Sequence, residues 1–239
     1  VAGGSLVVNG LRAQYGDFKV LHDIGFTVAP GEIVSIVGSN GAGKTTTLRS
    51  VVGIIRPTGG TVTFDGARID GSRPSEIVER GLAMVPEGRN LFRDMTVEEN
   101  LLMGAHVPRA RKLARQRVAQ MYERFAMLPD LKGRRAGQLS GGQQQIVAIA
   151  RALMSAPSVL LMDEPSLGLS PKITLEIFAL VRQIGADGTS VVLVEQNVMQ
   201  ALALASRAYV ISEGRSVMNG SSAELLASDD VRRQFLGDA

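Results

Sequence analysis

This 239-residue sequence predicts an α/β fold: a mostly parallel central sheet, an N-terminal antiparallel β region and an inserted α-helical sub-domain. Three observations carry the prediction. Short apolar runs alternate with helical stretches toward both ends of the chain. A half-buried alternating pattern opens it, and in the middle third helix formers dominate while strand-like runs vanish.

Taken in order, residues 6–15 and 25–28 read as strands, and 32–37 is a short, largely apolar strand that runs straight into a glycine-rich turn. A helix follows from about 43 to about 53, before Pro57-Thr58-Gly59-Gly60 breaks the chain. Residues 61–64 alternate as a half-buried strand, and 96–154 form the helical sub-domain. The runs 159–162 and 190–194 have the composition of strands buried on both faces, with a helix over about 172–184 between them. Residues 208–212 and 216–218 add final strands, and 223–236 a C-terminal helix. Residues 1–86 and 157–239 are thus expected to form one core with the β region, and 87–156 the sub-domain within a single domain.

Composition narrows the function. With 45% apolar and 21% charged residues the chain resembles an ordinary globular protein. It has no cysteine, which excludes disulfides, thiolate metal sites and thiol nucleophiles and fits a reducing compartment. No apolar run is long enough to span a bilayer, and Val1-Ala2-Gly3-Gly4-Ser5 lacks the features of a signal peptide, so a peripheral membrane role is the expectation. The net charge of +3 is small. Its densest basic stretch, Arg109, Arg111, Lys112, Arg115 and Arg117, interleaves with Ala114, Val118, Met121, Tyr122 and Phe125 at helical spacing, as a solvated face over a buried stripe. No nucleic-acid partner is expected. His22 and His106 stand alone and suggest no metal site.

The chemistry lies in three motifs. Gly38-Ser39-Asn40-Gly41-Ala42-Gly43-Lys44-Thr45 has the P-loop spacing and sits between a buried strand and a helix start, with Thr46 next in the helix. Its glycines let backbone N–H groups curl around phosphate oxygens. Lys44 can reach the β and γ phosphates, and Thr45 can offer a hydroxyl to Mg²⁺. The fold is therefore expected to have a P-loop, RecA-like core. The strand 159–162 ends in Asp163-Glu164, suited to a Mg²⁺ ligand (Asp163) and to a base that accepts a proton from, or orients, attacking water (Glu164). Leu139-Ser140-Gly141-Gly142-Gln143 opens a helix that Ser140 can cap.

That pentapeptide, followed by the Asp-Glu strand and preceded by the P-loop, resembles the signature and Walker B strand of ABC ATPases along essentially the whole chain. The resemblance implies ATP and Mg²⁺ as cofactors. It also implies that Ser140, Gly141 and Gly142 contact a γ-phosphate held by a partner subunit. Tyr15 matches the aromatic that stacks on adenine, with a half-exposed strand tyrosine as the alternative.

Glu87 stands where most of the family carries a glutamine that senses Mg²⁺ and phosphate, and Gln196 where it carries a switch histidine. The aspartate that usually closes Ser166-Leu167-Gly168-Leu169 is missing. Together with Val85-Pro86-Glu87-Gly88-Arg89 and Val194-Glu195-Gln196-Asn197, these departures resemble the LivF-like ATP-binding subunit of branched-chain amino acid importers. That implies a LivG-like heterodimer partner, two permeases and an extracytoplasmic solute-binding protein. A homodimer is the alternative assembly, and importers of urea or amides are the alternative substrate class. A soluble ABC ATPase of translation or DNA repair fits less well, since such proteins usually fuse two cassettes or insert a long coiled coil. Arg89, Asn90, Leu91 and Phe92 are candidates for a permease-facing groove or for packing between sub-domains.

Overall fold

In a computed structural model, which describes residues 3–228, ten strands form one sheet in the order β5-β4-β1-β2-β10-β9-β3-β8-β7-β6. Strands β3 (Ile33–Val37), β6 (Leu82–Val85), β7 (Val159–Asp163), β8 (Ser190–Glu195) and β9 (Arg207–Ser212) pair in parallel. Strands β1 (Leu6–Tyr15), β2 (Phe18–Val28), β4 (Gly59–Phe64) and β5 (Ala67–Arg68) pair antiparallel. Strand β10 (Arg215–Ser221) links the two halves, antiparallel to β9 and parallel to β2.

The period-2 pattern of the buried strands sorts their side chains into two cores. Val159, Leu161, Val192 and Val194 face a cluster with Val34, Ile36 and the inner face of helix α1 (Lys44–Val51). Leu160, Met162, Val191 and Leu193 face a second cluster built from helices. These are α3 (Val97–Gly104), α5 (Ala114–Arg124), α7 (Gly141–Leu153) and α8 (Pro171–Ala186). Each of these side chains is worth about 1.5–3 kcal/mol when fully buried, so a polar substitution in β7 or β8 would damage both layers. Between β6 and β7 the chain forms helices joined by loops, with no strand and one isolated bridge, Thr96 to Arg135.

The structure departs from the sequence expectations in four places. Strand β2 begins at Phe18 rather than near Gly25, because a tight turn at Gly16 and Asp17 folds it directly onto β1. Helix α2 (Pro74–Arg80), β6 and helix α9 (Val198–Leu204) went unread: each is 4–7 residues long, too short to show a period. The final described helix, α10, is Ser222–Ala227, and the rest of the expected 223–236 helix lies outside the described residues. In the basic stretch, Val118 and Met121 are buried as expected and Arg111, Lys112 and Arg115 are exposed. However, Arg109 (in α4, Pro108–Arg111) donates to Val78 O and Arg117 to Met154 O, so two of the five cations tie the helices to the core. Among the described residues no helix is long and apolar enough to cross a membrane.

Candidate active site

Strand β3 delivers the chain into the loop 38–43 at the carboxyl edge of the parallel strands. Gly41 and Gly43 adopt φ of 79° and 106°, and a Cβ on Gly43 would press into the Leu21 side chain. Helix α1 then starts at Lys44, so the unpaired N–H groups of its first turn line a concave anion cradle. Lys44 is buried, and its Nζ donates to Gly38 O (2.9 Å) and Ser39 O (3.2 Å) and lies 3.3 Å from Glu164 Oε1. An ion pair between residues 120 apart in sequence thereby joins the P-loop to the Asp-Glu pair.

Thr45 Oγ1 donates to Asp163 Oδ1 at 3.1 Å. The other oxygen, Asp163 Oδ2, is buried and accepts no hydrogen bond. Burial pushes the Asp163 pKa up to about 6; the Thr45 hydrogen bond pulls the other way, and the charges of Glu87 and Glu164 add to the rise. An orphaned carboxylate oxygen, an adjacent hydroxyl and a nearby second carboxylate form an all-oxygen donor set, which fits Mg²⁺. Among the described residues no group of three His, Cys, Asp or Glu could hold an ion alone. Mg²⁺ characteristically needs no such cage, since it takes one or two carboxylates and fills its remaining positions from water and substrate phosphate.

Glu164 itself has φ of 45°, a left-handed conformation that a non-glycine residue adopts at a cost. Its N–H donates to Val194 O, which pins the turn against β8. One residue beyond, Glu195 is buried and accepts the Ser166 N–H at 3.1 Å, tying the loop after Glu164 to the same strand end. Burial raises the Glu195 pKa, and the Ser166 and Gln196 N–H groups moderate the rise.

A cleft of about 600 Å³ lies over these groups, lined by Tyr15, Phe18, Asn40, Lys44, Thr45, Thr46, Glu87 and Gln196 among others. Tyr15 and Phe18 face each other across the tip of the β1–β2 hairpin and are 47% and 73% exposed. Phe18 escaped sequence reading because β2 was expected to start later; an aromatic immediately after the Gly16-Asp17 turn was the available signal. Asp163 sits beneath the cleft. Ser140, Gly141 and Gly142 do not line it. They begin α7, where Ser140 closes a capping box with Gln143 (3.4 Å and 3.0 Å) and a Cβ on Gly142 would meet Ile173.

The segment after Glu87 is held by groups that sequence did not flag. Arg89 and Asn90 have φ of 67° and 45°, and Arg151 of α7 donates to both their carbonyls, at 3.0 and 2.8 Å. The Arg151 guanidinium also lies 5.5 Å from the Phe92 ring centroid. Asn100, fully buried in α3, accepts the Phe92 N–H (3.0 Å) and donates to the carbonyls of Phe92, Met95 and Thr96. Phe92, Met103, His106 and Arg151 line a mainly apolar groove of about 520 Å³ beside it.

Comparison with known proteins finds relatives along nearly the whole chain. The family described as ABC transporter matches residues 21–167. The chain is 45% identical to the high-affinity branched-chain amino acid transport ATP-binding protein BraG of Pseudomonas aeruginosa, over 95% of this chain and 97% of that one. It is 34% identical to a probable branched-chain amino acid transport ATP-binding protein, LivF, of Archaeoglobus fulgidus, over 95% and 96% of the two chains. A nucleotide-free ATP-binding cassette from an ABC transporter superposes with a TM-score of 0.86 at 27% identity, covering 98% of this chain and all of that one.

Proposed function

The chain belongs to the ABC transporter family as an ATP-binding, ATP-hydrolysing cassette, and from that premise we propose that it powers an importer of branched-chain or related amino acids as a LivF-like subunit. It would work on the cytoplasmic face of the membrane, with a LivG-like second ATPase and two permeases. The observation that carries the catalytic part of this reading is the bridge from Lys44 to Glu164 above the Thr45–Asp163 pair. The similarity to BraG and LivF supports the substrate class.

In this reading adenine stacks on the exposed Tyr15 and Phe18 rings, and the phosphates lie in the loop 38–43. Lys44 exchanges its Gly38 and Ser39 carbonyl partners for β and γ phosphate oxygens. Thr45 and Asp163 would hold Mg²⁺, with Glu87 approaching from the cleft wall; when bound, Mg²⁺ neutralises charge on the phosphates. Glu164, released from Lys44, orients a water in line with the γ-phosphate and takes its proton as the new P–O bond forms and the bond to the β–γ bridging oxygen breaks, leaving ADP and phosphate. The Gln196 amide donates to the γ-phosphate, where a histidine would instead be able to carry charge. Ser140, Gly141 and Gly142, remote from the chain's own cleft, would close over the nucleotide of the partner. Because Glu87 and Gln196 replace the common sensor and switch residues, the two composite sites are unequal, and the chain alone binds ATP but turns it over slowly.

The test is co-purification from its own membrane, followed by reconstitution with the partners recovered. Two permeases and a second ATPase, with leucine uptake abolished by Glu164→Gln, is the expected result. Recovery of this cassette alone with the permeases would replace the heterodimer by a homodimer. Uptake of urea but not leucine would overturn the substrate class.

A further inference from the structure

Behind the hairpin that offers Phe18 and Val20 to the nucleotide cleft, the same strand lines a second cavity, of about 450 Å³. Three strands and a loop contribute: Arg12 and Gln14 from β1, Lys19, Leu21, His22 and Asp23 from β2, Arg215 from β10, and Thr58. Neighbours such as His22 and Asp23 ordinarily point to opposite faces of a sheet. Here the β1–β2 register shifts between Leu11 and Ala13 and again between Ala13 and Gln14, so that extra β2 residues crowd opposite Arg12. Bulges of this kind re-aim side chains.

From this convergence we infer a binding site for a phosphate group, separate from the ATP cleft. Among the described residues, Arg12, Lys19 and Arg215 make no ion pair and no side-chain hydrogen bond, although Asp23 lines the same cavity. Three like charges around one concavity repel each other, and an oxyanion with three acceptor oxygens relieves that repulsion. Arg12 and Arg215 offer planar forks suited to phosphate, Lys19 a point charge, and Gln14 and Thr58 neutral hydrogen-bonding groups. The cavity has one apolar wall residue, Leu21, and no Phe, Tyr or Trp ring, so its lining is mainly charged and polar. Asp23 repels any anion, but the three cations outweigh it, so the net positive charge of the cavity favours a divalent phosphate over a singly charged carboxylate. The recognised part is therefore the phosphate, whether of a soluble metabolite or of a lipid headgroup.

The chain contains two histidines, one in this cavity and one, His106, in the groove beside Phe92. NMR of the two imidazole Hε1 signals therefore reads the site with an internal control. In MgADP-saturated protein at constant ionic strength, inorganic phosphate should shift His22 saturably and leave His106 in place. Arg12→Gln/Arg215→Gln should weaken the midpoint about tenfold or more, as expected for losing charged hydrogen bonds, with Lys19→Gln as an independent variant. Both variants should keep the wild-type circular dichroism and nucleotide affinity. Phosphatidic acid vesicles, whose headgroup is a phosphomonoester, set against phosphatidylcholine vesicles, separate the sources. A His22 response to the anionic vesicles that the variants lose assigns a headgroup, and a response to phosphate alone assigns a soluble ligand. An unmoved His22 under both probes, a shift shared by His106, or a response that survives both variants would overturn the site.

Discussion

Asn100 joins the segment after Glu87 to the helices, and replacing it gives a prediction whose size follows from its partners. In Asn100→Ala the three carbonyls it serves each keep another donor: Phe92 O from Met95 N, Met95 O from Ala136 N, and Thr96 O from the backbone N–H of residue 100. The Phe92 N–H keeps none, because Asn100 Oδ1 is its one acceptor among the described residues. An orphaned donor beside a fully buried side chain costs about 1–3 kcal/mol, and the lost donor contacts add a fraction, for a total of about 2 kcal/mol. At roughly 2–4 °C per kcal/mol for a chain of this size, the melting temperature should drop by about 4–8 °C. Asn100→Asp is the sharper variant, since it keeps an acceptor for Phe92 but aims a buried charge at three carbonyls, and should cost about 3 kcal/mol or more. Urea unfolding with amide exchange at Phe92, against Val192 in β8 as reference, checks both. If the aspartate variant proved as stable as the wild type, or milder than alanine, the hydrogen-bond account of this segment would be wrong.

Other outcomes follow from the site. Lys44→Ala should weaken ATP binding by about ten- to a hundredfold, the scale of one or two charged hydrogen bonds, as read by fluorescence of a labelled nucleotide. The Asp163 pKa is raised from 3.8 to about 6, so the folded metal-free protein binds a proton over this interval that the unfolded chain does not. The stability from this group is therefore present below about pH 4 and lost as pH rises through 6. Urea midpoints in EDTA should fall across that window, and Asp163→Asn should remove that part of the fall, a difference on the order of 3 kcal/mol at pH 7.5. Glu195→Ala, which frees the Ser166 N–H, should lower turnover in the reconstituted complex several-fold while nucleotide affinity holds; equal loss of both would refute a positioning role for Glu195.

The parallel core was legible because β7 and β8 are apolar on both faces, a pattern that burial on two sides imposes on sequence. The P-loop was legible because phosphate binding fixes glycine and lysine offsets along one short stretch. Phe18, Glu195, Asn100 and Arg151 were not, and for a common physical reason. Each acts through a strand register or through a partner outside its own helix or strand, and neither leaves a local period. Asn100 is the clearest case: in sequence it is one polar residue inside an amphipathic helix, and burial alone reveals that it faces inward and binds backbone.

The anchoring of residues 89–92 also bears on how the site comes apart. In chain order this segment follows a strand of the sheet, yet Arg151 and Asn100 fasten it to α7 and α3. Its frame of reference is therefore the helices. Thr45 and Asp163 are fixed to the sheet, whereas Glu87 is separated from the fastened segment by Gly88 alone. Any tilt of the helices against the sheet must be absorbed over Pro86, Glu87 and Gly88, and it carries the Glu87 carboxylate toward or away from the other two oxygens. Of the three candidate ligands, Glu87 is the one whose distance reports the posture of the molecule.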